Sequence, residues 1–199
     1  MWKSRGEALS LNEVTTLHIK NMVCDRCIKV VHEELKGLGV EVVSVNLGVA
    51  QVRSTSIDHS RINKALLVQG FELISDPDNV TIERIKLLLI SLVSELPMQP
   101  HEKLSALIAR AIGKDYSSLS RLFSQKQQIT IEKYYLKLKL EKVKALIQEG
   151  GLTFSEIAYQ LDYSSVNHLA TQFKSATGMS MSEYKQTMES DRNSLDKIV

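Results

Sequence analysis

Apolar residues in the second half of the chain recur at the spacing of amphipathic helices. Two successive segments each have one apolar face, made by Ile157, Ala158 and Leu161 in the first and by Leu169 and Phe173 in the second. Between the segments, Asp162 suits a left-handed turn and Ser165 can cap the helix that follows. The pattern predicts a helix-turn-helix, a unit that places its second helix in the DNA major groove.

The same apolar pattern occurs earlier in the chain. Ile108-Ala109 is followed by Phe123 and Tyr134, as Ile157-Ala158 is followed by Phe173 and Tyr184. The copies flank an amphipathic segment, residues 131–148, with lysines on its polar side. As a helix, this segment would span roughly 27 Å. With the flanking units added, the two second helices would lie near the roughly 34 Å pitch of B-DNA, so that one chain reads two successive major-groove segments.

Further motifs within residues 104–185 strengthen this interpretation. They are Leu119-Ser120-Arg121-Leu122-Phe123, Tyr135-Leu136 with Leu140-Glu141 and Lys144, Ser155-Glu156-Ile157-Ala158, and Phe173-Lys174 with Gly178 and Ser182-Glu183-Tyr184. In combination they resemble the DNA-binding domain of the AraC family of bacterial transcription regulators. The resemblance implies a tandem helix-turn-helix domain whose partner is double-stranded DNA.

The resemblance also implies which residues face DNA. They are Ser117, Ser120, Arg121 and Ser124 in the first recognition helix, Lys139 in the linker helix, and Ser164, Val166, Asn167, Ala170 and Thr171 in the second recognition helix. Arg121 can hold a guanine edge through two hydrogen bonds, and Asn167 suits an adenine edge. The alternatives are a phosphate contact or solvated charge for Arg121, and an ordinary surface position for Asn167.

Several positions depart from the family's pattern. Asp162 stands in place of the usual turn glycine, Met181 in place of a proline, and Thr171 in place of an arginine. Arginines of the linker helix are replaced by Lys137, Lys139 and Lys142, which attract phosphates as point charges without bidentate geometry. We therefore expect sequence readout to rest more on the first unit than on the second.

The first part of the chain changes its periodicity several times. It reads as a short strand with Leu17 and Ile19, a helix over 28–38, a hairpin of strands 41–46 and 49–53, a helix over 62–68, and a strand over 71–74. The order β-α-β-β-α-β is that of the ferredoxin-like split βαβ motif. The predicted fold class is α+β, with a ferredoxin-like domain followed by an all-α tandem helix-turn-helix domain.

Both cysteines of the chain, Cys24 and Cys27, lie in the segment Asn21-Met22-Val23-Cys24-Asp25-Arg26-Cys27, between the first strand and helix. This segment resembles the Gly-Met-x-Cys-x-x-Cys motif of heavy-metal-associated domains, with Asn21 in place of the glycine. Two thiolates at this spacing can bind a soft ion such as Cu(I). The alternatives to metal binding are a disulfide switch formed by the two cysteines, or no function for them. Structural Zn(II) would need four ligands, from a second chain or from Asp25 and His18.

These features divide the chain into five segments. They are a flexible N-terminus (1–12), a heavy-metal-associated-like domain (13–76), a linker helix (77–100), the double helix-turn-helix domain (101–187) and a flexible tail (188–199). The helix over 77–100, which differs from the lysine-bearing linker helix over 131–148, has apolar residues at heptad spacing, namely Ile82, Ile85, Leu89, Leu92 and Leu96. It either opens the C-terminal domain and packs on it, which we favour, or serves a homodimer.

Charge and composition constrain the function only modestly. The formal net charge is +2, and the residues from Pro97 onward hold 14 Lys and Arg against 11 Asp and Glu, so any DNA affinity depends on local placement of charge. No signal peptide or membrane-length apolar run occurs, and two cysteines suit a reducing cytoplasm. The sequence contains no Gly-rich phosphate loop, nucleophile elbow or paired-histidine motif, which argues against an enzyme.

We interpret the chain as a cytoplasmic transcription regulator with an N-terminal Cys-x-x-Cys sensor, responsive to a soft metal such as Cu(I). Two alternatives stay open at this point. The N-terminal domain could serve dimerisation or thiol redox sensing without a metal. The chain could also be a metal carrier whose helical half binds protein.

Overall fold

The computed structural model describes residues 14–53, 57–98 and 103–187. The chain forms two compact units that divide between Val80 and Thr81. The predicted flexible ends, residues 1–12 and 188–199, lie outside the described residues, as do residues 99–102, where the predicted linker helix meets the C-terminal domain.

The first unit is an antiparallel sheet with two helices. Its elements are β1 (Val14–Lys20), α1 (Asp25–Gly37), β2 (Glu41–Asn46), β3 (Val49–Arg53), α2 (His59–Val68) and β4 (Glu72–Ile74). The strands lie in the order β2-β3-β1-β4, and every neighbouring pair is antiparallel. The predicted order of elements is confirmed, and the hairpin strands have the predicted bounds.

The core of this unit lies between the helices and one face of the sheet. It is built from Leu17, Ile19, Met22, Val31, Leu35, Ala50, Val52, Ile62, Leu66 and Phe71. Leu17 and Ile19 point to the same side because successive strand residues alternate, and both are almost completely buried. Met22, in the loop after β1, has no exposed surface and belongs to this core.

The second unit is helical. Its elements are α3 (Pro77–Ser94), most of which belongs to this unit, α4 (Leu104–Ile112), α5 (Tyr116–Gln127), α6 (Ile131–Glu149), α7 (Phe154–Gln160), α8 (Val166–Thr177) and α9 (Met181–Thr187). Within the described residues, no helix is long and apolar enough to cross a membrane.

Helix α3 packs within the helical unit, as we favoured from the sequence. Ile82, Ile85 and Leu89 are at most 3 % exposed. The Arg84 side chain donates a hydrogen bond to the Ala111 carbonyl oxygen, over 3.4 Å. Three of the five heptad positions are therefore used inside the unit and do not form a free seam.

Two helix-turn-helix modules repeat within this unit. The first module is α4 and α5 with the start of α6, and the second is α7, α8 and α9. The core residues Leu119, Phe123 and Tyr134 of the first module recur 50 positions later as Leu169, Phe173 and Tyr184. In each module the Phe and Tyr rings meet edge to face with centroids 5.5 Å apart. The predicted internal repeat is thus present in the packing as well as in the sequence.

The turns of the two modules use different residues for the same backbone change. Gly113 is left-handed at φ +75° in the first turn, and Asp162 takes φ +52° in the second. Each following helix has a side-chain cap: Asp115 accepts from the Ser118 N–H at 3.0 Å, and Ser165 accepts from the His168 N–H at 3.1 Å. The predicted roles of Asp162 and Ser165 are confirmed.

Candidate functional site

The outer face of α5 carries the four residues that the sequence placed at DNA. Leu119 and Phe123 are buried on the inner face, so Ser117 and Arg121 lie on the outer face and are exposed, while Ser120 and Ser124 are half-buried. The Ser117 hydroxyl donates to the carboxylate of Asp115. This bond and the Ser118 N–H stabilise the carboxylate, so the pKa of Asp115 is lowered. The face is polar, with Arg121 as its cation.

A basic cleft of about 460 Å³ adjoins this face. It is lined by Ser124, Gln127, Gln128, Ile129, Thr130, Lys133 and Lys137. Lys133 and Lys137 lie four residues apart on α6, so their ammonium groups share one side of that helix. Among the residues that the structure describes, none with a carboxylate lines the cleft. Lys133 was not among the predicted contact residues, although its spacing of four from Lys137 on the polar side of α6 indicates it.

On α8, the predicted contact residues divide into exposed and packed positions. Asn167 and Thr171 are exposed on the helix, and Ser164 is exposed in the turn before it. Val166 and Ala170 are half-buried and pack against the core of the second module. The Thr171 hydroxyl donates to the Asn167 carbonyl oxygen, at 2.9 Å. Thr171 occupies the position of Arg121 in the repeat, so α8 has no cation there.

Lys139 of the linker helix contacts an aromatic ring of the second module. Its ammonium nitrogen lies 4.1 Å from the ring centroid of Tyr163, in the turn between α7 and α8. Burial lowers the pKa of Lys139, and the charge of Asp162 partly opposes this effect. Burial, with a smaller effect of Tyr135, raises the pKa of Tyr163 to about 12. Lys139 therefore lies in a partly buried environment and is directed at Tyr163.

The dithiol loop joins β1 to α1 in the first unit. Cys24 is exposed at the N-cap of α1, Cys27 is half-buried in its first turn, and their Sγ atoms are 3.5 Å apart. Partial burial acts to raise the pKa of Cys24, but hydrogen bonds from Cys27 and Arg26 and the Arg26 charge outweigh it and lower that pKa. Burial raises the pKa of Cys27. Cys24 is therefore the thiol that ionises first.

Asn21 preserves the geometry of this loop in the absence of the motif's glycine. Its backbone is left-handed at φ +72°, a region that asparagine enters more readily than most residues. Its side-chain amide donates to the Gly70 carbonyl oxygen at 3.0 Å, in the turn between α2 and β4. The replacement of glycine by asparagine is therefore compatible with the loop.

The donors of this loop suit some metal ions and not others. Two thiols form a soft donor pair, which matches the preference of Cu(I). Structural zinc takes four ligands, and within the described residues no group of three or more His, Cys, Asp and Glu side chains could hold a metal ion. Asp25 and His18 therefore do not form such a group with the two cysteines in the described part of the chain.

Comparison with known proteins identifies the helical unit more closely. Residues 108–187 match the family model of a helix-turn-helix domain. No curated protein sequence matches the chain. The predicted helix-turn-helix domain is thus confirmed for this part of the chain.

Three of the similar solved structures are DNA-binding or regulatory proteins. The first is a transcriptional regulator with an AraC-type DNA-binding domain from Chromobacterium violaceum (19 % identity, 59 % of this chain and 99 % of that chain, TM-score 0.49). The second is the C-terminal domain of AraT, a response regulator from Geobacillus stearothermophilus (25 % identity, 57 % and 91 %, TM-score 0.48). The third is the C-terminal domain of the two-component response regulator yesN from Fusobacterium nucleatum (26 % identity, 50 % and 96 %, TM-score 0.44).

Proposed function

We propose that this chain is a sequence-specific transcription regulator of the AraC type that binds double-stranded DNA with both modules. The observation that carries the proposal is the helix-turn-helix domain built twice, with a polar outer face on each second helix. Helix α6 joins the modules over 19 residues, which is roughly 28 Å of helix. That length is compatible with two recognition helices entering successive turns of one groove, roughly 34 Å apart.

The two modules contribute unequally in this proposal. The first module supplies sequence readout through Arg121, whose guanidinium can bind a guanine edge at two points. It also supplies contacts to the DNA backbone, because Lys133 and Lys137 line the cleft beside α5. The second module reads with Asn167 and adds less electrostatic attraction, because Thr171 stands where the first module has Arg121.

Selection from a pool of random 40-base-pair duplexes tests this function and does not depend on a known operator. We expect enrichment of a defined sequence, with binding that weakens steeply as salt rises. Fluorescence anisotropy on the selected duplex should show Arg121→Ala binding about 5- to 100-fold more weakly, the loss expected for one bidentate base contact. Arg61→Ala is the matched control, since Arg61 is exposed on α2 in the other unit.

Two results would contradict the proposal. The selection could return no enriched sequence, or Arg121→Ala could behave like Arg61→Ala. A chain that enriches no duplex but binds Cu(I) and captures a protein would favour the metal-carrier alternative.

For the first unit, we propose a ferredoxin-like sensor in which Cys24 and Cys27 hold a soft metal ion, with Cu(I) as the best match. The support is the donor pair itself, with Sγ atoms 3.5 Å apart and Cys24 exposed. A bound ion would bring its own positive charge and two metal–sulfur bonds to this loop. It can regulate DNA binding only if its affinity differs between the free and the DNA-bound protein.

The sensor is tested by measuring DNA affinity under reducing conditions with and without one equivalent of Cu(I). We expect the affinity to change with Cu(I) and this response to disappear when Cys24→Ser and Cys27→Ser are combined. If Cu(I) binds the wild type but leaves its DNA affinity unchanged, the unit is not a copper sensor. Dimerisation or thiol redox sensing would then be the better explanation for it.

A further inference from the structure

Three polar side chains form a continuous hydrogen-bonded row on the second module. Ser164, His168 and Gln172 are spaced four residues apart, so they share one side of α8 and the turn before it. The Ser164 Oγ lies 3.1 Å from His168 Nδ1, and the Gln172 Nε2 lies 3.0 Å from His168 Nε2. Both ring nitrogens of His168 are therefore engaged within the protein.

The placement of the Gln172 amide, with its nitrogen toward His168, sets the direction of each hydrogen bond in the row. An amide nitrogen can only donate, so His168 Nε2 must accept the hydrogen bond from Gln172. A neutral imidazole has one donor and one acceptor, so His168 Nδ1 carries the hydrogen and donates to Ser164 Oγ. Ser164 then keeps its own O–H as a donor. Because Ser164 is exposed, this O–H is accessible to a partner outside the protein.

The imidazole of His168 also contacts Tyr163, on the side that faces α6. The rings of Tyr163 and His168 meet edge to face, with centroids 5.6 Å apart and an angle of 76°. Lys139 in turn lies over the Tyr163 ring. At the other end of the row, the carbonyl oxygen of Gln172 is buried without a hydrogen-bond partner, so the amide bonds to His168 while its oxygen is unsatisfied.

The row is a feature of the second module alone. At the positions of His168 and Gln172, the repeat in the first module has Ser118 and Leu122. These side chains cannot form the row, although α5 and α6 pack with the same edge-to-face contact as α8 and α9. The helix-turn-helix fold therefore does not require it.

We propose that Ser164 donates its hydroxyl hydrogen to a DNA phosphate oxygen, and that Gln172 and His168 are positioning residues that fix the direction of this hydrogen. The inference rests on the proposed function of the chain. Serine hydroxyls are common donors to DNA phosphates. Ser164 stands directly before the N-cap of α8, where the helix dipole also favours a negative charge. The row thus gives the second module a preset backbone contact in place of the cation that it lacks at Thr171.

The tautomer of His168 is tested first, on the full chain labelled with ¹⁵N-histidine and without DNA. At pH 8 we expect the ring signals of an Nδ1–H tautomer, assigned by their loss in His168→Asn. Gln172→Met removes the amide donor, and we expect it to convert the ring to the Nε2–H tautomer. A wild type with hydrogen on Nε2 would overturn the inference whatever the protein does with DNA.

The proposed hydrogen bond from Ser164 to a DNA phosphate is tested by fluorescence anisotropy on the duplex selected with the wild-type protein. We expect Ser164→Ala to bind about tenfold more weakly, the loss of one hydrogen bond to a charged acceptor. Gln172→Met should weaken binding equally, since Nδ1 would then accept the Ser164 hydrogen, and the double variant should be no weaker than either single one. His168→Asn keeps a donor near the position of Nδ1 and should restore most of the affinity lost in His168→Ala. Gln186→Met, at an exposed site on α9, is the matched control.

The possible outcomes separate the inference from the function on which it rests. A wild type that binds no duplex contradicts the proposed function. If the wild type binds DNA and Gln172→Met has the same affinity, the positioning role alone is overturned. The same holds if the losses of affinity in Gln172→Met and Ser164→Ala add up in the double variant. Circular dichroism spectra matching the wild type show that any loss does not come from unfolding.

Discussion

Asn21 donates its side-chain amide to the Gly70 carbonyl oxygen over 3.0 Å, which ties the dithiol loop to the turn between α2 and β4. The two residues are 49 positions apart in the chain, and both backbones are left-handed. Asn21 therefore combines two properties, tolerance of positive φ and a hydrogen bond across the unit. Glycine offers only the first of these, and alanine offers neither.

This relationship predicts an order of stabilities at position 21. Asn21→Gly should lower the free energy of unfolding of the first unit by about 1 kcal/mol, the net value of one hydrogen bond. Asn21→Ala should lower it by about 2 kcal/mol, because alanine adds strain in the left-handed region. Urea unfolding followed through NMR signals of the β1 and β4 amides would measure both. Equal stability of the alanine variant and the wild type would contradict the prediction.

The internal repeat predicts different sensitivities at two matched positions. Arg121 and Thr171 occupy the same place in the two modules, but the Thr171 hydroxyl is bonded to the carbonyl of Asn167 on its own helix. Thr171→Ala should therefore change DNA affinity by less than about threefold, since that bond stays within the protein. Thr171→Arg should bind more tightly and increase the dependence of binding on salt, because it adds a cation on the recognition helix. Anisotropy titrations at several salt concentrations would test both expectations.

Local sequence signals predicted some parts of this fold well. The bounds of β2 and β3 were predicted correctly because Gly48, at φ +79°, ends a run of alternating residues. The start of α1 was predicted three residues late. Its first turn has no apolar periodicity, and its N-cap, Cys24, makes no side-chain capping bond that a sequence pattern could reveal.

The contacts within the candidate site were harder to predict because they depend on tertiary packing. Lys139 was placed at DNA from the family resemblance, whereas its position over Tyr163 depends on how α6 packs against the turn between α7 and α8. The row through His168 needs a side-chain rotamer at each position as well as the spacing of four. Spacing alone is available from the sequence, and it does not distinguish a connected row from three separate surface residues.

The helix caps of the second module predict a dependence of its stability on acid. Glu156 accepts from the Thr153 N–H at 2.7 Å, and Glu183 accepts from the Ser180 N–H at 2.6 Å. These bonds favour the ionised form, so the pKa of each carboxyl is lowered from its ordinary 4.5. A lowered pKa in the folded state contributes stability that is complete above the ordinary value. That contribution is lost as the pH falls through the lowered pKa.

The test compares melting temperatures between about pH 6 and pH 3 for the full chain and for Glu156→Gln combined with Glu183→Gln. The melting temperature of the wild type should exceed that of the double variant near pH 6, and this difference should disappear at the acid end of the range. The reason is that the double variant has no carboxylate to protonate at these two positions. Glu149→Gln, at the exposed end of α6, is the matched control and should follow the wild type. A constant difference between double variant and wild type across the range would contradict the prediction.

Lys139 and Lys133 lie on the same helix and should give opposite results in DNA binding and stability. Lys139 lies over Tyr163 and is half-buried, so Lys139→Met should destabilise the helical unit by about 1 kcal/mol through loss of the cation–π contact. It should leave the salt dependence of DNA binding unchanged, because its ammonium is directed at the ring. Lys133 is exposed in the basic cleft beside α5, so Lys133→Gln should lower the salt slope by about one and leave stability nearly unchanged. Lys139→Met could instead also lower the salt slope of DNA binding by about one. Lys139 would then contact a phosphate in the complex, as the family resemblance implies. Its contact with Tyr163 would have to break on binding.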